Sequence, residues 1–235
     1  MQSQRRIVFK LSGEMLAAPE GTGIDLGKLA WIADEIKSAH ETGCQVAFVV
    51  GAGNFVRGSQ LAESGVGRAT ADYMGMLGTV INALALGDSL ARRGVSVRVM
   101  SAISMEPAAE SYERAAAVAA LERGEVVVFA AGTGNPYFTT DTAASLRAVE
   151  VDADLLAKAT KVDGVFDKDP EVHPDAKVYK SVSYDQVLAE RLGVMDATAV
   201  AMCRDHQLPV LVFRLGADGG LERVAAGEAP GTLMA

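Results

Sequence analysis

The chain has 235 residues, 24 of them glycine, and its 22 Lys and Arg against 30 Asp and Glu give a formal net charge of −8. With 49% hydrophobic and 22% charged residues it has the composition of a soluble globular protein, which excludes a disordered chain, a collagen and a disulfide scaffold. The acidic balance argues against general nucleic-acid binding, because phosphate backbones demand clustered Lys and Arg, yet it leaves room for a small phosphorylated ligand held by a few local groups.

The predicted elements alternate along the chain. A strand at Arg6–Leu11 is followed by a helix with Leu29, Ile32, Ala33 and Ile36 on one face, capped by Asp25 and ended by Gly43. A strand at Gln45–Val50 leads to a long helix from Arg68 to Arg93. Its Met76–Leu86 stretch is apolar on most faces, as for burial in a core or a subunit interface. Then come a strand at Val95–Met100, a helix over Ser111–Arg123, a strand at Val126–Ala131, a helical A-A-S-L-R-A-V and a strand at Leu155–Thr160. A proline-rich loop spans Gly164–Asp175. A short strand at Val178–Ser183, helices at Tyr184–Leu192 and Ala197–Gln207, a strand at Val210–Leu215 and an edge strand at Gly231–Leu233 complete the chain. Runs such as V-A-F-V-V read as strands buried on both faces. The expected architecture is therefore α/β, a three-layer αβα sandwich around a mostly parallel sheet. It is one domain, with two lobes on one sheet that divide near Glu150.

Cys44 and Cys203 lie far apart, and with His40, His173 and His206 they show no metal-ligand spacing. Buried thiols in a reducing compartment are expected. The polar Met1–Arg6 start is no signal peptide, and no membrane-length apolar stretch is free of glycine and charge. A cytoplasmic location is expected, with no membrane partner.

In open α/β sheets ligands bind beyond the carboxyl ends of the strands, and five such places carry unusual sequences. K-L-S-G-E, Lys10–Glu14, offers a cation and small-residue amides to a phosphate, or an ordinary edge-strand lysine. G-A-G-N-F-V-R-G, Gly51–Gly58, lets backbone approach a ligand and adds the forked guanidinium of Arg57. It matches neither the P-loop nor G-x-G-x-x-G. Asp72, in D-Y-M-G-M-L, suits a hydroxyl-accepting carboxylate, or simply a helix start. G-T-G-N-P-Y-F-T-T-D-T-A-A, Gly132–Ala144, concentrates hydroxyls, amides, two rings and Asp141. K-A-T-K-V-D-G-V-F-D-K-D-P, Lys158–Pro170, brings an aromatic with hydroxyl and carboxyl groups that suit a purine and ribose. The glycines are expected to leave backbone N–H groups open at Gly51–Gly53 and Gly132–Gly134.

These segments, in this order and spacing, resemble the bacterial uridylate (UMP) kinases of the amino acid kinase family, over essentially the whole chain. The resemblance implies the amino acid kinase fold and ATP-dependent phosphorylation of UMP to UDP, with magnesium. Residues 1–150 would form the acceptor lobe and 151–235 the ATP lobe. Carried over, Lys10, Leu11, Ser12 and Gly13 would line the ATP phosphates, with Gly53 and Arg57 near the phosphates being joined. Ala52 and Asp72 would face UMP, and Thr133, Gly134, Asn135, Pro136, Tyr137, Phe138, Thr139 and Thr140 would wrap its phosphate and base. Thr160, Phe166 and Asp169 would hold the adenosine. Asp141 would orient Lys10 and a magnesium-bound water. Lys10, Arg57 and Asp141 form the implied catalytic set. Little covalent chemistry is asked of such a site, since alignment and charge stabilisation dominate phosphoryl transfer.

The family is typically homohexameric, often activated by GTP and inhibited by UTP. The loop Ala18, Pro19, Glu20, Gly21, Thr22 and Gly23 matches the one associated with activation. Two departures stand out. Ala52 replaces the middle of three glycines, a cost if its φ is positive. Gly87, Ala91 and Glu125 stand where positive charge would help GTP, although Arg98 is nearby. Rival readings are a kinase of the same fold acting on carbamate or an amino acid, and a non-catalytic uridine-nucleotide sensor.

Overall fold

The computed structural model describes residues 5–56, 65–170, 172–216 and 220–235. The strands are β1 Arg6–Leu11, β2 Gln45–Val50, β3 Val97–Ser101, β4 Glu110–Ser111, β5 Val126–Ala130, β6 Leu155–Thr160, β7 Ser181–Val182, β8 Val210–Arg214 and β9 Gly231–Met234. The helices are α1 Leu26–Glu41, α2 Arg68–Ala91, α3 Arg114–Glu122, α4 Thr140–Glu150, α5 Tyr184–Ala189, α6 Ala197–Asp205 and α7 Gly220–Ala225. A short 3-10 turn, Gly13–Leu16, follows β1. The strands form one sheet in the order β4-β3-β5-β2-β1-β6-β8-β9-β7, parallel except where β9 runs against β8.

Each face of the sheet carries a core. Ile7, Phe9, Phe48 and Val128 pack with Ile32, Val80 and Leu221 from α1, α2 and α7. Val8, Val49, Val127 and Val212 pack with Ala117, Ala144, Val187 and Val200 from α3, α4, α5 and α6. Alternate residues of one strand thus serve opposite cores, which is why the central strands read as unbroken apolar runs. Lys10 shares its parity with Val8, so it points to the α4 side. Asp25 caps α1 by accepting from the Lys28 amide at 2.8 Å. Helix α2 is long and apolar enough, by length and composition, to cross a membrane, but here Ala71, Val80, Ala83, Leu86 and Leu90 are buried in the fold.

Several boundaries move for identifiable reasons. The strand expected from Val95 begins at Val97, because the Val95 amide donates to Leu90 O and prolongs the turn after α2. Strand β5 stops before Ala131, whose φ is 61° and whose amide turns to Thr79 Oγ1. Helix α3 starts at Arg114, not Ser111, because Glu113 takes the capping position and Ser111 pairs in β4. The segment expected at an edge, Gly231–Leu233, lies between β8 and β7, and the two-residue β7 becomes the edge.

Candidate active site

The carboxyl ends of β1, β2, β5 and β6 open onto a shared crevice. At its centre are two lysines and one aspartate. Lys10 and Lys158 are directly paired across the neighbouring parallel strands β1 and β6. Asp141 enters from the first turn of α4, which Thr139 caps by accepting from the Asp141 and Thr142 amides. Lys10 Nζ lies 2.9 Å from Asp141 Oδ1, and Lys158 Nζ lies 2.7 Å from Oδ2. All three side chains are 13–14% exposed, so solvent screens these charges little.

Burial alone would raise the Asp141 pKa, but the two lysines outweigh it and hold the carboxyl below its ordinary value. Burial lowers the pKa of Lys158; the repulsion of Lys10 adds to this, and Asp141 opposes it. Lys10 Nζ meets Asp141 Oδ1 as an ion pair. That oxygen is the only buried side-chain nitrogen or oxygen among the described residues without a hydrogen-bond partner. Its charge is compensated by the Lys10 ammonium beside it.

Two cavities flank this cluster. One, of about 530 Å³, is lined by Lys158, Thr160, Phe166, Asp169, Arg191 and Gly193 among others. The Thr160 hydroxyl faces Val162 O at 2.6 Å and Phe213 O at 3.1 Å, so it braces the loop after β6. The other cavity, of about 260 Å³, is lined by Ala52, Gly53, Arg68, Asp72, Thr79, Thr133, Asn135, Phe138, Thr139 and Thr140. The Asp72 carboxylate accepts from Arg68 Nε at 2.9 Å and from the Tyr137 amide at 2.8 Å, so it anchors the far loop as well as lining the cavity. The Tyr137 ring is exposed, with the Arg68 guanidinium 5.9 Å from its centre. Gly134, Pro136 and Tyr137 do not line the cavity wall. Gly134 has a φ of 79° and packs on Ala102, where a Cβ would come within 3.1 Å of the Ala102 carbonyl oxygen.

The donor turn and the glycine loop touch. A Cβ on Gly13 would fall 2.4 Å from Gly51 O and 2.7 Å from Gly53 N, which only glycine avoids. Ser12 caps the turn over Glu14. Ala52 does not adopt a positive φ, so its methyl group carries no backbone strain; it rests against Gly78 of α2, where a Cβ would come within 2.9 Å. The expectation of open amides is corrected at two positions. The Gly51 N–H donates to Leu11 O, extending the β1–β2 ladder by one residue, and the Gly134 N–H closes a turn on Ala131 O.

The loop Ala18–Gly23 borders neither cavity. It folds on itself through the Gly21 amide and Ala18 O, and it joins Asn54 through the Gly23 amide and carbonyl. Arg98 is engaged by Glu110, and Glu125 by Arg123. Gly87 and Ala91 line a separate groove with Asp88 and Glu110. Arg57 lies outside the described residues.

Four groups that the fold brings to the site are not among the residues singled out from the sequence, although Lys158 opens the K-A-T-K segment. Lys158 interrupts the apolar run L-L-A-K-A-T just as Lys10 interrupts V-F-K-L, and it also donates to Val194 O. Thr79 and Asn82 are polar residues on the apolar helix α2, seven and ten residues after Asp72 and so near one face of the helix. Asp196 caps α6, and its carboxylate accepts from the hydroxyls of Thr139 and Thr142. The recurring signal is an isolated polar residue inside an apolar segment.

Residues 5–214 match the model of the amino acid kinase family. The chain is 51% identical over 230 residues to a uridylate kinase of Aeromonas salmonicida (strain A449), covering 98% of this chain and 94% of that one. It is 52% identical over 232 residues to a uridylate kinase of Xanthomonas euvesicatoria pv. vesicatoria (strain 85-10), covering 99% and 97%. Its fold is similar to the crystal structure of the UMP kinase from Bacillus anthracis, with a TM-score of 0.94 at 39% identity, covering 98% of this chain and 95% of that one. Two cavities on either side of a lysine-rich centre, on a sheet of this order, thus accompany full-length similarity, and the chain belongs to the amino acid kinase family and, within it, to the uridylate kinases.

Proposed function

We infer that the chain transfers the γ-phosphoryl group of ATP to UMP, giving UDP and ADP. The observation that carries the site assignment is the Lys10–Asp141–Lys158 cluster lying between two cavities. The larger cavity, with Phe166 and Asp169, suits adenosine, and the smaller one, with its threonines and Asp72, suits UMP. An oxygen of the UMP phosphate forms the new bond to the γ-phosphorus. The bond from that phosphorus to the bridging oxygen breaks, and ADP keeps the electron pair. The attacking oxygen is already ionised near neutral pH, so no general base is needed. Asp141, with its pKa lowered by two lysines, is a poor base in any event; it holds the lysine ammonium groups in place. Their net positive charge is aimed at oxygens that gain charge as the phosphoryl group moves.

Magnesium fits as an ion brought by the nucleotide. No group of three or more His, Cys, Asp or Glu gathers among the described residues, and magnesium commonly relies on phosphates plus one or two carboxylates. Asp141 Oδ1, whose hydrogen bonding is incomplete, would accept from a water of its hydration shell. The ion would supply charge neutralisation on the phosphate oxygens.

The finer readings rest on the same features. UTP would compete at the UMP cavity because it carries the same uridine. GTP would activate through Ala18–Gly23, a loop that Asn54 joins to the glycine loop. The buried free thiols of Cys44 and Cys203 suit a reducing cytoplasm, where the product enters pyrimidine nucleotide biosynthesis. The exposed apolar row Tyr73, Leu77, Ile81 and Leu84 on α2 supports self-association toward a homohexamer.

The test is a coupled assay with ATP, magnesium and UMP, repeated with CMP and glutamate as acceptors and then with GTP and UTP added. ATP consumption that requires UMP is expected. UMP binding without turnover, or a preference for glutamate, overturns the reading.

A further inference from the structure

Between the donor turn and the acceptor loop lies a pair of buried amides that no catalytic step uses. Asn54, in the glycine loop, is 1% exposed, and Asn82, on α2, is 0% exposed. Asn54 Nδ2 donates to Asn82 Oδ1 at 2.9 Å, and Asn82 Nδ2 donates back to Asn54 Oδ1 at 2.7 Å. The second N–H of Asn54 reaches Gly23 O at 2.9 Å, and that of Asn82 reaches Gly51 O at 2.7 Å. All four amide N–H groups are therefore used, each amide spending one on its partner and one on a backbone carbonyl. The arrangement has one sense only. Turning either amide over would set its oxygen against a carbonyl oxygen in a site closed to bulk solvent.

The position of this pair matters more than its stability. A Cβ on Gly13 would lie 2.6 Å from Asn54 Oδ1, so the turn beside Lys10 packs directly on the amide. Gly51, held by Asn82, precedes Ala52 and Gly53 in the wall of the smaller cavity. Gly23 belongs to a loop that lines neither cavity. One rigid unit thus contacts the donor turn, the acceptor loop and the outlying loop, and α2 supplies its fixed point.

We propose that Asn54 and Asn82 are positioning residues that set the spacing between the two nucleotide phosphates by fixing the acceptor loop against the donor turn. This rests on the UMP-phosphorylating reading above. Transfer between two bound nucleotides is steeply sensitive to their separation, a displacement on the order of 1 Å costing roughly 10²-fold. A pair that fixes Gly51 against Gly13 therefore acts on the reaction without touching either substrate.

The test uses Asn82→Asp in the full chain. The carboxylate still accepts from Asn54 Nδ2, but it can donate neither to Gly51 O nor to Asn54 Oδ1. Burial favours the protonated acid, and a proton restores one donor as pH falls. The expected result at pH 8 is a KM for UMP raised about tenfold with the KM for ATP changed less than about twofold, the excess shrinking at pH 6. Substitution that only lowered the folded fraction would reduce apparent kcat and leave the KM for UMP and its pH dependence as in the parent. Asn54→Ser, which replaces the amide by a shorter hydroxyl and removes its bonds to Asn82 and Gly23 O, is the second variant and should raise the KM for UMP without the pH-dependent recovery. A parent chain that fails to phosphorylate UMP overturns the functional reading. A parent that does so, beside folded variants with unchanged KM for UMP, overturns the positioning role. If Asn82→Asp does not fold, Asn54→Ser decides alone: a raised KM for UMP supports the role, and an unchanged one overturns it.

Discussion

Lys10 and Lys158 meet one carboxylate from paired positions on adjacent strands, and each is shielded from water. Preorganised cations in such a setting act on developing charge without reorganising. Lys10→Ala is therefore expected to lower kcat by about 10²-fold or more, and near-normal turnover by the folded variant would contradict its assignment. Lys158 allows a pH prediction. Its folded pKa lies below the ordinary 10.5 because burial disfavours the charged form. The protonated form is the one that holds Asp141 and carries the positive charge, so rising pH removes it. A pH–rate profile should show kcat falling on the alkaline side at a pH below 10.5. The same limb should vanish in Lys158→Arg, whose guanidinium stays charged. A limb identical in both proteins would exclude Lys158 as its source.

At the scale of elements, α2 acts as the platform for the acceptor cavity. It holds the Tyr137 amide through Asp72, the Ala131 amide through Thr79 and the Gly51 carbonyl through Asn82. The Thr79 hydroxyl also donates to Met76 O at 2.6 Å, which leaves its oxygen free to accept from Ala131. Thr79→Val conserves shape and leaves that buried amide without an acceptor. The expected cost is about 1–3 kcal/mol of stability, read as a lower thermal midpoint, together with a raised KM for UMP. An unchanged midpoint and KM would show that Ala131 is held by other means. The sequence made α2 legible as a long buried helix, since its apolar residues recur on most faces. Its polar contacts were not legible, because a threonine within an apolar helix can equally bond its own preceding turn. Likewise the strands were readable from β-rich apolar runs, whereas the place of Gly231–Met234 inside the sheet depended on backbone pairing that no local pattern encodes.

For the whole molecule, the acidic net charge of −8 coexists with a locally cationic centre. The Debye length is about 8 Å at physiological salt, so distant surface acids weigh little there. The same surface bears the apolar row of α2, whose Tyr73, Leu77, Ile81 and Leu84 are 36–49% exposed. A second copy laid against this row would bury it. Ile81→Asp places a charge in the middle of the row and is expected to reduce the assembled mass by light scattering while the monomer keeps its far-ultraviolet dichroism. A parent chain that scatters as a monomer, or an unchanged mass in the variant, would contradict self-association through this row.

By itself the sequence determined the layered α/β architecture, the strands that carry the crevice, and the segments rich in glycine, threonine and charge at their ends. It could do so because periodicity, capping and turn chemistry act over a few residues. The family resemblance of those segments supplied the nucleotide chemistry and most of the expected site. Only the tertiary structure decided that Lys158 stands beside Lys10, that Asp141 answers both, and that Asn54 and Asn82 lock the two loops together. Those relations join residues from 17 to 148 positions apart in the chain, and they exist only once parallel strands pair in register and α2 and α4 close over opposite faces of the sheet.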